Sequence, residues 1–545
     1  MERLKKSSLF RKWLPLIVLS SALMIIIIDT TVLNVSIRNM LSDLHTNVQG
    51  IQWVISAYSL TLAALTVTGG RLGDLFGRKK MFRIGAVLFA VGSLITSLAP
   101  TIAWVIIGNA IVEGIGAALM MPATASLLVN NYRGKDRALA FAIWGSVAAS
   151  AAAIGPILGG WLTTNYSWRW AFRINLVVVV LLLLGSRFIK EARERAEKRE
   201  LDLVGILLSS VGLTSIVYGL IESSTYGWVM AKSPFALWGH SASPFGLSVS
   251  ILTIILGLVI MGLFGWYEYR HEQRGHTPLV SLALFKNRQF TAGSITTALL
   301  AVGQTGLIFA IPIFYQSVLQ LDAFHTGLGL LPMSLAIMVG APSALKLTRR
   351  LLPKQVIQLG FLVSVLGVAY LFLTLSPRST PWDLAPGLFV YGLGMGFGFS
   401  QLGNLTLSAV SVQQSGEASG VNNTIRQIGA SFGSAIIGAA LIATLTSSVV
   451  SRIESSPVIP NDLRPAVVKQ VKEAGSNIEF ANPSQSQLPA DLEAEIVTIT
   501  HESTVKGNKV ALLFTGGFAL MALAFSSLLP SIRDLETGQS ASAGH

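Results

Sequence analysis

The chain has 545 residues, 52% of them hydrophobic and only 12% charged, with a mean hydropathy of +0.61. Soluble domains carry roughly a quarter charged residues, so an ordinary soluble enzyme is excluded and an all-α polytopic membrane protein is indicated. The net charge of +13 is spread between hydrophobic runs, which points to membrane topology rather than nucleic-acid binding, and the absence of Cys removes disulfides, thiol catalysis and thiolate metal sites.

The basic N-terminus, up to Lys12, precedes an apolar run from Trp13 to Ile37. That run is longer than the hydrophobic part of a signal peptide and lacks a clean small-x-small cleavage site, so it reads as a retained first span. Apolar runs lie at about 13–37, 52–73, 81–99, 102–129, 138–163 and 170–189, then at about 203–221, 246–267, 290–318, 325–346, 355–375, 384–411, 418–447 and 508–530. Fourteen spans are therefore expected. Of the 40 Lys and Arg, 29 fall on the side of the N-terminus. This bias places both termini in the cytoplasm and the protein in the plasma (inner) membrane.

Within span 1, Asp29 follows Met24-Ile25-Ile26-Ile27-Ile28, where an ionised carboxylate is costly without a partner and a functional role is the default. Between spans 2 and 3, Gly70-Arg71-Leu72-Gly73-Asp74-Leu75-Phe76-Gly77-Arg78-Lys79-Lys80 combines turn glycines, an acid and a basic cluster, suited to charge contacts that hold two bundles together and break on rocking. Glu113 in span 4 is a second intramembrane acid. If it approaches Asp29, the two carboxyls compete for a proton, which proton coupling requires. The alternative is a protonated structural acid hydrogen-bonded to Asn109 or Asn34. In span 5, Gly145 and Gly155-Pro156-Ile157-Leu158-Gly159-Gly160 suit a hinge or close packing.

A faint repeat relates the two halves. Gly70 with Lys79-Lys80 matches Gly340 with Arg349-Arg350, and Glu113-Gly114-Ile115-Gly116 matches Tyr391-Gly392-Leu393-Gly394. Six plus six helices are expected, with spans 7 and 8 inserted between them. The corresponding organisation is a six-helix bundle over 1–190, a linker with two inserted helices over 191–270, a second bundle over 271–530 carrying an external loop at 448–506, and a tail at 531–545. In that loop Asn461 and Asp491 read as N-caps of short helices over 463–474 and 492–503. No GxxxxGK[ST] loop occurs, so a gradient must supply any energy. Gly429-Ala430-Ser431-Phe432-Gly433 fits the GxSxG pattern but lies in an apolar span, where small residues serve helix packing. All seven His, from His45 to His545, fall in or near loops, so neither a metal site nor a cofactor is expected.

These residues resemble the 14-span drug:proton antiporter branch of the major facilitator superfamily, the branch that includes QacA and EmrB. Gly70 to Lys80 is similar to its signature loop, Asp29-Thr30-Thr31-Val32-Leu33-Asn34-Val35 to its span-1 motif, and Gly145 through Gly160 to its antiporter motif. Trp168 through Asn175, Pro278-Leu279 with Leu284-Phe285-Lys286-Asn287-Arg288, and Gly420 through Gln427 match as well. The resemblance implies the major facilitator fold and multidrug efflux by alternating access: export of amphiphilic, often cationic, small molecules against protons, with no enzymatic activity. It implies conformational-switch residues at Gly70, Gly73, Asp74, Gly77, Arg78, Lys79, Gly155, Pro156, Gly159, Gly160 and Arg426. A cavity between spans 1, 4, 9 and 12 would draw on Asn34, Asn109, Gln304, Phe309, Phe314, Tyr315, Gln316, Tyr391, Gln401 and Asn404, with aromatics holding a lipophilic cation. Against the family pattern, Asn109 stands where an Arg is usual, Glu113 where a Gln is usual, Leu75 replaces a usually basic residue and Arg38 a Pro; Arg173 is also unusual. The expectation is that Asp29 and Glu113 form a carboxylate pair for protons and a cationic substrate, with Arg38 or Arg173 acting near the external mouth. Export of an endogenous lipid or secondary metabolite, with altered or no proton coupling, is the second reading. A non-transporting scaffold or sensor is the third.

Overall fold

The computed structural model describes residues 2–46, 48–191, 202–231, 236–237, 240–241, 246–276, 278–410, 414–474 and 490–531. Nearly all of them are helical: α1 (Glu2–Asp43), α2 (Val48–Phe76), α3 (Arg78–Ser97), α4 (Ile102–Val105), a π-helical segment (Ile106–Glu113), α5 (Gly114–Asn131), α6 (Gly134–Asn165) and α7 (Arg169–Gly185). There follow α8 (Leu203–Tyr226), α9 (Val249–Gln273), α10 (Ala283–Lys286), α11 (Arg288–Ser317), α12 (Ala323–Gly329), α13 (Leu331–Leu347), α14 (Pro353–Thr374), α15 (Pro381–Leu407), α16 (Ser415–Ser455), α17 (Arg464–Ala474) and α18 (Ala490–Ser526). The described strands are a two-residue pair, Ala236–Leu237 against His240–Ser241.

Among the described residues, 11 helical stretches are long and apolar enough to cross a membrane. Three further helices stand where spans were expected, with 29 (α2), 32 (α6) and 27 (α15) residues. All three exceed the about 20 residues a crossing needs. Starts are set locally. Asp202, Ser248, Asn287 and Asp322 accept backbone N–H bonds at the heads of α8, α9, α11 and α12, and Pro353 and Pro381 open α14 and α15 where a missing N–H costs nothing.

Two large apolar clusters dominate the interior. One gathers Leu19, Leu23, Phe82, Phe89, Met120, Leu127 and Phe141 from α1 to α6 and reaches across to Phe290, Leu407 and Val421 of α11, α15 and α16; the other gathers Leu307, Phe314, Ile337, Phe361, Leu388 and Leu512 from α11 to α18. Between them in sequence, α8 and α9 pack against each other, and α8 also rests on α2 and α16. The two halves meet through α2 with α16 and through α6 with α12, α13 and α15.

The repeat is visible in the packing. A Cβ on Gly92 would strike the Glu113 backbone N at 2.5 Å, and one on Gly116 would strike Gly85 O at 2.6 Å. In the second half a Cβ on Gly367 would strike Tyr391 N at 2.5 Å, and Gly394 presses on Gly360. The same small-residue crossing thus fixes α3 on α5 and α14 on α15, with Tyr391 in the place of Glu113.

The 448–506 segment differs in detail from expectation. Helix α17 begins at Arg464, three residues after Asn461, because Leu463 and Arg464 first turn back onto Pro460 O. The second short helix is no separate element: α18 runs unbroken from Ala490 into the last span, and α16 extends to Ser455. An apolar seam of Leu445, Val449, Ile453, Ile459, Leu492 and Ile499, with an Arg452–Glu502 ion pair, holds the two extensions together. The side chain of Asp491 lies outside the described residues.

The close helix crossings make a direct test. Gly116→Val places atoms against the backbone of α3 and should lower stability by about 1–3 kcal/mol, read as a lower melting temperature of the purified protein, as overpacking does. Gly262→Ala, on α9 with nothing within 4 Å, should not lower it and, by helix propensity, raises stability by up to about 1 kcal/mol.

Candidate functional site

Asp29 and Glu113 come together in the first half. Both are buried, with 4% and 0% exposure. Asn109 joins them: its Nδ2 donates to Asp29 Oδ2 at 2.8 Å and to Glu113 Oε2 at 3.2 Å. Asn175 on α7 closes the ring, donating to Asp29 Oδ1 at 3.2 Å, Glu113 Oε1 at 3.3 Å and Ser93 Oγ at 3.1 Å. Ser93 on α3 donates to Glu113 Oε1 at 2.5 Å.

The backbone explains how this cluster fits. Asn109 and Glu113 lie on the π-helical segment, whose wider turns occur mostly as single-turn bulges and often at functional sites. Gly92 and Gly108 remove side chains where α3 crosses that segment, and Thr96 sits against Gly108. Tyr58, buried on α2, lies within electrostatic range of both acids. Its hydroxyl and Asn109 Oδ1 are buried without a hydrogen-bond partner among the described residues. No ion pair reaches Asp29 or Glu113 among the described residues. Arg173 instead stacks over Trp170, 5.2 Å from its ring centre, and the side chains of Asn34, Arg38 and Pro156 are outside the described residues.

At the basic end of the bundle, Asp74 makes two kinds of contact. Its Oδ1 holds Arg78 at 2.9 Å, and Arg78 also donates to Asn130. Its Oδ2 accepts from the backbone N of Glu417, in the first turn of α16, at 3.0 Å. A carboxylate from one half therefore caps the positive end of a helix from the other. Gly70 packs against Gly420 of α16, Gly73 against Arg78, and Gly77, at φ 102°, lets the chain turn into α3 beside Glu191. Lys79 donates to Ile189 O and, through its backbone N, to Glu191. Arg426 is half-buried on α16 with Nη2 3.7 Å from Met121 Sδ across the boundary between halves.

The glycines of α6 act differently from a hinge between halves. Gly155 and Gly159 receive Thr31 and Val32 of α1, in the same half, and Gly160 is buried. Ile157, between them, is the residue that meets Gly327 of α12 across the boundary. Farther toward the basic end Phe399 faces Gly145 and Phe141 faces Gly403, so the halves touch at both ends in this conformer.

The expected cavity residues do not share one surface. Tyr391 lines a narrow cleft with Leu299, Gly303, Phe361, Ser364 and Met395, wholly inside the second half, because it occupies the position that Glu113 holds in the first. Tyr315 is buried beneath Gly329 with Phe314 beside it, and Phe309 packs toward Gly438 of α16. Gln401 and Asn404 are buried, Gln401 with Nε2 unpartnered among the described residues, and Gln304 and Gln316 are half-buried. Ser93 and Tyr58 were missed by sequence reasoning, and Asn175 was noted only within a motif. A polar residue among apolar neighbours was the available signal for each, one too common for Ser and Tyr to single them out.

A sequence profile of the Major Facilitator Superfamily matches residues 19–434. The probable actinorhodin transporter of Streptomyces coelicolor is 30% identical over 451 residues, covering 82% of this chain and 75% of that protein. The multidrug resistance protein Stp of Mycobacterium tuberculosis is 28% identical over 97% of this chain and 93% of its own length, and the multidrug efflux pump LfrA of Mycolicibacterium smegmatis 29% over 89% and 90%. Among solved structures, the proton:xylose symporter XylE aligns with a TM-score of 0.57 at 11% identity, covering 96% of this chain and 98% of that one, a likeness of fold alone. The chain belongs to the Major Facilitator Superfamily, with relatives named as drug and antibiotic exporters. It is an integral membrane transporter and not an enzyme.

The bridging amide provides a test of the cluster. Asn109→Leu removes one of the two amides that donate to both buried carboxyls and should cost about 1–3 kcal/mol, the price of an unsatisfied buried polar group, measured as a fall in melting temperature. An unchanged melting temperature would mean that the bridge holds nothing.

Proposed function

We propose that the chain exports hydrophobic or cationic small molecules by proton antiport, with the Asp29–Asn109–Glu113 cluster carrying the proton. The observation that carries this reading is two buried acids joined by amide and hydroxyl groups, with no cation paired to either among the described residues. Two carboxylates held this near to each other in apolar surroundings do not both stay ionised, so the cluster retains a proton until a positive charge or water replaces it. A cationic substrate competes for the same negative charge.

Alternating access follows from the two halves rocking about this cluster. Asp74 and Glu417 form the latch at the basic end, assigned to the cytoplasm with both termini, and Ile157 with Gly327 the contact at the outer end. On this reading fourteen helices span the plasma (inner) membrane as two six-helix bundles, with α8 and α9 as the inserted pair. Gln401 and Asn404, with Gln304 and Gln316, are the polar groups assigned to the substrate path. The names of the Streptomyces relatives favour a second reading, export of a secondary metabolite through the same site.

Sealed proteoliposomes carrying a pH dye test the coupling. Addition of a lipophilic cation should evoke proton movement in the unaltered protein, reduced at least about tenfold, or about 1.4 kcal/mol, in Asp29→Asn and in Glu113→Gln. Substrate movement without proton flux, unchanged in both variants, would overturn the antiport reading and leave an uncoupled exporter.

A further inference from the structure

The inserted helix pair holds a second pair of buried acids that the transport reading does not use. Asp202, at the head of α8, is 6% exposed; its Oδ1 accepts from Gly205 N at 2.8 Å and from the Tyr267 hydroxyl at 2.9 Å. Glu268, one turn from the end of α9, is fully buried, and its Oε2 accepts from Leu279 N at 2.9 Å. The remaining oxygens, Asp202 Oδ2 and Glu268 Oε1, have no donor among the described residues. They converge on one point: a Cβ on Gly205 would touch both. The two free oxygens therefore face each other across Gly205, where a hydrogen bond between them would close the pair. Ionised carboxylates only accept, so such a bond exists only if one of the two carries a proton.

Among the described residues no ion pair reaches either carboxyl. Tyr267 already donates to Asp202; His271 stacks on Tyr267, and His276 stacks on His271, away from the two free oxygens. Arg274 lies within electrostatic range of Tyr267. From the packed elements, α2 brings Arg71 and Asp74 and α16 brings Glu417 and Arg426 toward the same end, and no ion pair joins any of them to Asp202 or Glu268 among the described residues. The pair also sits at the head of a continuous path. Glu268 holds Leu279; two residues on, Ser281 N donates to Glu417 Oε1 at 2.5 Å, and Glu417 N donates to Asp74.

We propose that Asp202 and Glu268 share one proton, and that its loss sets two buried carboxylates against each other, drives Glu268 away from Leu279 and so loosens the Asp74–Glu417 contact between the halves. The inserted helices are then a proton-responsive clamp on one gate, separate from the Asp29–Glu113 cluster and independent of whether transport is proton-coupled.

The full chain in nanodiscs tests this by infrared spectroscopy, in an Asp29→Asn/Glu113→Gln background that removes the other acid pair. A buried protonated-carboxyl band should be present at low pH, titrate away as pH rises, and be lost in both Glu268→Gln and Asp202→Asn. Because the chain contains no Cys, Ser281→Cys introduces a single thiol. Its maleimide labelling, taken relative to that of Ser455→Cys at an exposed position so that the thiolate's own rise with pH cancels, should rise with pH, and adding Glu268→Gln, whose amide donates permanently, should keep that ratio low at every pH. Absence of the band, its survival in both single variants, or unchanged pH-dependent labelling with Glu268→Gln would overturn the proposal.

Discussion

Two carboxyl groups inside a membrane helix bundle must be given hydrogen-bond donors, and the first half of this protein is arranged around that requirement. Asn109, Asn175 and Ser93 come from three different helical segments, and each donates to Glu113, Asn109 and Asn175 also to Asp29. Their convergence needs helices closer than ordinary side chains allow. Gly85, Gly92, Gly108 and Gly116 provide that proximity, since backbone meets backbone at each. The π-helical segment turns Asn109 and Glu113 to the same face.

The repeat shows which part of this arrangement is architectural and which is chemical. The glycine crossing recurs in the second half, with Gly360, Gly367 and Gly394 in the roles of Gly85, Gly92 and Gly116. At the position of Glu113 stands Tyr391, and at that of Ser93 stands Val368. Close packing is therefore common to both halves, whereas the acids belong to one. A proton site confined to one half, with the other half providing polar groups such as Gln401 and Asn404, is the division of labour that the proposed antiport uses.

Much of the fold was legible because hydropathy and charge report directly on the bilayer. The apolar runs fell on long helices, and Asp29 and Glu113 were found because a charge in such a run stands out. Less legible was anything set by contact between helices. Tyr391 read as a cavity residue from its span, yet its place in the repeat turns it into its own bundle. Gly155 to Gly160 read as a hinge or a close-packed interface without saying against which helix, and Gly155 and Gly159 pack on α1 of the same half. Ser93 and Tyr58 carry no sequence signal that separates them from the many other hydroxyls of the chain. Glu417 was invisible because its part in the latch is played by a backbone N–H, which any residue at the start of α16 would supply.

The central claim is that Asp29 and Glu113 hold one exchangeable proton that substrate displaces. Proton release on substrate binding, measured on the purified protein in weakly buffered detergent solution, tests it without any membrane gradient. The account expects a lipophilic cation to release protons from the unaltered protein and none from Asp29→Asn or Glu113→Gln. Binding of the cation with no proton release, or release that persists in both variants, would contradict it.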